Sequence, residues 1–161
     1  MREVRKIPTL TDYNDLFLKA QCDFEQYKRT SGVYELANCL LTLNALPEWI
    51  LNCDKISVEL KKATLEKLNV MKNMNNLYPL DEKALETDID QKLRFVRLFC
   101  NHLKHSEPKE KFPAIEMGAP IPTKLPAPFT KIKIGERYFD APSIVQSIID
   151  FWDGLLNETE A

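Results

Sequence analysis

Six of the ten prolines in this 161-residue chain fall between Pro108 and Pro128. Proline has no backbone N–H and a fixed φ, so inside a helix it removes a hydrogen bond and clashes with the preceding turn. This stretch is therefore predicted to be an extended arm without helix, and regular structure has to come from what lies on either side of it.

Upstream of the arm, apolar residues recur at helical spacing in four segments. The first runs from Thr11 to about Thr30, opens on a Thr/Asp cap signal and aligns Leu16, Phe17, Ala20, Phe24 and Tyr27 in one stripe. Ser31-Gly32 punctuates the chain. The second segment carries Tyr34, Leu36, Ala37, Leu40, Leu41, Leu43 and Leu46 and is apolar over most of its circumference, which predicts a central position. Pro47 either kinks it or opens a new turn at Pro47–Ile50. The third, from Asp54 to about Asn75, has Ile56, Val58, Leu60, Leu65, Leu68 and Met71 as its apolar set. Lys55, Lys61, Lys62, Lys67 and Lys72 form its polar face. The fourth is predicted to open at Leu80-Asp81-Glu82 and to continue to His105, where Ser106 to Pro108 end it.

Beyond the arm, Lys131–Ile134 and Arg137–Asp140 alternate polar and apolar residues around Gly135-Glu136, which predicts a β-hairpin. Pro142 opens a last helix through Ile144, Val145, Ile148, Ile149, Trp152 and Leu155. The predicted fold is mainly α. It is an up-and-down four-helix bundle plus a C-terminal helix, with a small β-hairpin and a Pro-rich extended arm. One domain is expected, with residues 8–106 as the four-helix core, 107–130 as the arm, 131–140 as the hairpin and 142–157 as the last helix.

Composition removes several function classes. The chain is 44% hydrophobic and 29% charged with only four glycines, as expected of a folded helical protein. A formal net charge of -2 argues against a dedicated basic nucleic-acid module, though not against a local basic patch. Cys22, Cys39, Cys53 and Cys100 form no C-x-x-C pair, so they are read as reduced, buried thiols rather than zinc ligands or a disulfide framework. No apolar run approaches the roughly 20 residues of a membrane span, and the N-terminus leads into no signal-peptide core. A cytoplasmic, bacterial-type location is expected. No nucleophile elbow, glycine-rich phosphate loop or paired-carboxylate motif is present, and no cofactor is expected. Trp49 and Trp152 are read as packing residues.

The only two histidines, His102 and His105, lie in the phrase Arg94-Phe95-Val96-Arg97-Leu98-Phe99-Cys100-Asn101-His102-Leu103-Lys104-His105. Imidazole is the side chain whose ordinary pKa lies near neutrality. At about 100° per residue, Arg94, Arg97, Asn101 and His105 share a face, Lys104 lies beside Arg97, and Val96, Phe99, Cys100 and Leu103 lie opposite. His102 points away from Arg97. This polar face suits a phosphate: arginine offers a planar fork of donors, asparagine orients a hydroxyl or water, and imidazole exchanges a proton. The plainer alternative is a helix C-terminus whose cations offset exposed carbonyls. A metal on His102 and His105 is disfavoured by the neighbouring cations and the lack of a nearby carboxylate, so none is expected. An acid to fix a histidine tautomer has to come from another helix, with Asp12, Asp15, Glu35 and Glu48 as candidates.

Arg97 to His102 has the form R-x4-H, and Arg97…Asn101…Lys104-His105 resembles the R-x-x-x-N-x-x-K-H phrase of helical proteins in the HEPN superfamily. Leu43-Asn44-Ala45-Leu46-Pro47-Glu48-Trp49-Ile50 is similar to a segment that uncharacterised bacterial relatives carry after an apolar helix. The resemblance covers about Leu10 to His105. It implies a bundle that homodimerises so that two Arg/His clusters line one cleft, and in active members cleaves RNA without a metal. Arg97 would hold the scissile phosphate, and His102 or His105 would serve as base or acid. For this chain, either the helix unwinds near Asn101 or the histidine that matters is His105. Inactive members bind nucleotides or partner proteins instead.

Two function classes follow. The first is binding of RNA or a nucleotide through Arg94, Arg97, Asn101, Lys104 and His105, extending to metal-independent ribonuclease activity in a defence or toxin-antitoxin setting. The second is a non-catalytic interaction bundle whose arm, from Phe112 to Phe129, lies across a partner or a second copy. Phe112, Ile115, Met117, Ile121, Leu125 and Phe129 would dock in a groove, or equally cover this bundle's own core.

Overall fold

The computed structural model describes residues 10–104 and 130–159, together with the backbone of 115–118. Helix α1, Tyr13–Thr30, is capped by Asp12, whose carboxylate accepts from the Asp15 N–H at 3.0 Å. It buries the expected stripe of Leu16, Phe17, Ala20, Phe24 and Tyr27. Ser31, in the left-handed region at φ 51, ends it by donating its N–H to the Tyr27 carbonyl. After the Ser31-Gly32 link, α2 runs from Val33 to Leu51 and packs on α1, α3 and α4, in the central position its composition predicts. Pro47 opens no new helix. It sits buried inside α2, between buried Leu46 and Ile50 whose packing holds the helix through the missing hydrogen bond.

Two helices differ from their predicted extents. Helix α3 spans Val58–Met71, shorter at both ends than the apolar pattern suggested. Ser57 sets its start by accepting from the Leu60 N–H at 3.1 Å. Asn73, Asn75 and Asn76, all at positive φ, make the chain leave the helix soon after Met71. Helix α4 spans Ile89–Lys104 and does not open at Leu80-Asp81-Glu82. There Asp81 accepts from the Lys83 N–H at 3.0 Å and caps only a single 3-10 turn, Glu82–Ala84. Leu85, fully buried, then pins the chain to the core, and Asp88 starts α4 by accepting from the Asp90 N–H at 2.9 Å.

The hairpin is present as β2, Lys131–Ile134, and β3, Arg137–Asp140, with Lys131 opposite Asp140 and Ile134 opposite Arg137. Gly135 takes φ +59 in the tight turn, where a side chain would be strained. A third strand joins it. Strand β1, Ile115–Gly118, lies within the predicted arm and pairs antiparallel with β2, giving the order β1-β2-β3. This part of the arm is thus extended, as predicted, and is committed to its own chain. The rest of the arm, with Phe112, Ile121, Leu125 and Phe129, lies outside the described residues.

Helix α5, Ala141–Thr159, follows β3 without a loop and packs on α1, α3 and α4. Ile144, Val145, Ile148, Ile149 and Trp152 of α5 join Ile132, Ile134 and Phe139 of the hairpin in one apolar cluster with the other four helices. The result is a mainly helical bundle with a C-terminal helix and a small hairpin. Among the described residues no helix is long and apolar enough to cross a membrane.

Candidate functional site

Helix α4 carries the Arg/His phrase, and in its first half Lys92, Leu93, Arg94, Phe95 and Val96 are consecutive buried residues. Arg94 therefore does not join an exposed cationic face. It is 3% exposed, and its guanidinium donates to the Met71 carbonyl at 2.7 Å, at the C-terminal end of α3. A helix C-terminus presents carbonyls without intrahelical partners, and a buried guanidinium needs acceptors, so this bond serves both groups. The helical-wheel expectation placed Arg94 with Arg97. Packing against α3 withdraws it.

One turn further on the helix emerges. Arg97 and Asn101 are half-buried, while His102 and Lys104 are exposed. None of these four side chains makes a hydrogen bond or ion pair to another described residue. Helical backbone continues from Ile89 through Lys104, so the helix does not unwind near Asn101. Five residues on a regular helix turn through about 140°, which keeps His102 off the Arg97 face. His105 lies outside the described residues.

The structure brings none of the expected acids to this face. Asp12 caps α1, and Asp15 accepts from the Thr11 N–H and hydroxyl, which hold its carboxyl below the usual range. Glu48 pairs with Lys72 at 3.7 Å. The carboxylate of Glu35 lies beside Gly32, at the start of α2. Of the lysines on α3, Lys61 and Lys62 are exposed, whereas Lys67 pairs with Asp90 at 2.8 Å and lies over the Phe151 ring. Trp152 is fully buried and Trp49 is partly buried against the core, as packing residues.

Burial pushes the thiols of Cys39 and Cys100 up to about 12, so both stay protonated near neutral pH. They approach the carbonyls of Ala20 and Leu40 at 3.6 and 3.5 Å. The other two cysteines depart from the expectation of burial. Cys53 is partly exposed and Cys22 is exposed, where it lines a cavity between α1 and α5. Among the described residues no three His, Cys, Asp or Glu side chains converge as a metal site.

Among the described residues, three cavities lie away from the Arg97 face. One, about 530 Å³, separates α1 from α5 and is walled by Gln21, Cys22, Glu25, Arg29, Asp150 and Asp153. A second, about 320 Å³, lies between Asp12, Tyr13, Trp49 and Cys53. The third, about 300 Å³, holds Lys92 and Asp140. Sequence reasoning missed all three, because each joins elements remote in the chain. No family model, no curated protein and no solved structure matches this chain. Chemistry and geometry therefore carry the functional reading.

Proposed function

We propose that the chain is a HEPN-like, homodimeric protein that binds RNA through the phosphate backbone, with Arg97, Asn101 and Lys104 of α4 as the contact residues. One observation carries this reading. Arg97, Asn101 and Lys104 share a face of α4 and spend no hydrogen bond or ion pair on another described residue, so two permanent cations and an amide are available to a ligand. A phosphodiester supplies the acceptors they lack. Cleavage asks for more. Within one chain His102 does not share the Arg97 face, so binding is the primary activity, and a ribonuclease reaction would draw its histidine from His105 or from the second copy.

The test is fluorescence anisotropy of a labelled RNA pool at low salt, followed by incubation in EDTA to detect cleavage. Arg97→Glu is expected to weaken binding about tenfold or more and Lys104→Glu less, with affinity falling as salt rises. Unchanged affinity in Arg97→Glu, or no RNA binding by the wild type, would overturn the proposal. Cleavage in EDTA that is lost in His102→Ala or His105→Ala would add catalysis and identify the histidine.

A further inference from the structure

The 300 Å³ cavity between α4, β3 and the first turn of α5 is built around a buried charge. Lys92 is 9% exposed and lines it. Its ammonium donates to Ser147 Oγ at 2.8 Å, and that hydroxyl in turn donates to the Ser143 carbonyl at 2.9 Å. The Lys92 ammonium makes no other hydrogen bond or ion pair to a described residue. A lysine ammonium has three N–H donors, and a charge taken out of water is stabilised only when such donors find acceptors. Two donors of Lys92 are thus left for whatever enters the cavity.

The other lining groups limit what that is. Phe139 and Ile144, 2% and 3% exposed, form an apolar wall. Asp140 is already engaged: one carboxylate oxygen accepts from the Ser143 N–H at 3.1 Å and hydroxyl at 2.6 Å, and the other pairs with Lys131 at 3.3 Å. Glu86 stands exposed at the rim with no ion pair to a described residue. Positive charge therefore lies inside and free negative charge outside. A simple anion would meet Glu86 on the way in, and a simple amine would meet Lys92. A molecule with both charges, carboxylate inward and ammonium outward, is matched at both ends. The volume stands at the lower end of small-molecule sites.

We propose that this cavity binds a small zwitterion of the free α-amino acid class, with its carboxylate on Lys92, its ammonium toward Glu86 and an aliphatic side chain against Phe139 and Ile144. The experiment is a ¹H–¹⁵N titration of the full chain with L-leucine, with isovalerate, which lacks the amine, and with isoamylamine, which lacks the carboxylate. Leucine is expected to shift the amides of Ser143, Ile144 and Ser147 saturably, with each of the other two binding at least tenfold more weakly. Lys92→Met is expected to abolish the leucine shifts, and Glu86→Gln, at an exposed position, to reduce the preference for leucine over isovalerate at least threefold. The wild-type series decides the matter even where Lys92→Met fails to fold. Absence of a saturable leucine shift, or equal affinity for leucine and isovalerate, would overturn the proposal.

Discussion

Asp140 shows how one side chain joins two elements. It ends β3 and, by accepting from the Ser143 N–H and hydroxyl, caps the first turn of α5. Burial raises its carboxyl pKa, but the Ser143 hydrogen bonds and Lys131 outweigh that effect, and the net shift is downward. A carboxylate depressed in the folded state stabilises above its unfolded pKa of about 4, and that contribution is lost as pH falls through the folded value. Asp140→Ala should therefore cost about 1 kcal/mol at pH 7, and the gap to wild type should close as pH drops below about 4. Thermal melts at pH 7 and pH 3 check this; an equal gap at both would assign the loss to packing. At the same scale, Arg94 marks where the sequence stopped being readable. A helical wheel separates polar from apolar arcs but does not know which neighbour abuts which arc. Arg94 stands between Leu93 and Phe95 on the margin of its arc, and the end of α3 is what buries it.

Among the elements, those with both a periodic pattern and a clear cap were legible. Helix α1 with Asp12, the hairpin around Gly135 and α5 all fall close to where the residues placed them. The start of α4 did not, because Asp81 and Asp88 are both acceptable caps in sequence and only the burial of Leu85 selects the later one. The distinction is measurable. Asp88→Ala should destabilise the protein by about 1 kcal/mol and speed amide exchange in the first turn of α4. Asp81→Ala, which loosens only a three-residue turn, should do so by clearly less; equal losses would mean that the 3-10 turn is integral to α4.

For the molecule as a whole, the general architecture was legible and the site only in part. Residues on one helix face, such as Arg97, Asn101 and Lys104, can be grouped from spacing alone. The Lys92 cavity could not be found that way, since Lys92 and Ser147 stand 55 positions apart and meet only when α5 closes on α4. The same contrast in separation governs assembly. Ser31-Gly32 is a two-residue link, so α1 and α2 meet with almost no loop to close, and contacts between residues near in sequence form fastest. Cys39 approaches Ala20 across that seam at a separation of 19, whereas Cys100 approaches Leu40 at a separation of 60. In pulsed thiol labelling during refolding, Cys39 should become protected before Cys100; the reverse order would show that α4 docks on α2 before α1 does. A nascent chain would then complete its α1–α2 pair while α5 is still unsynthesised, holding the first half of the core in waiting until the last helix arrives to seal it.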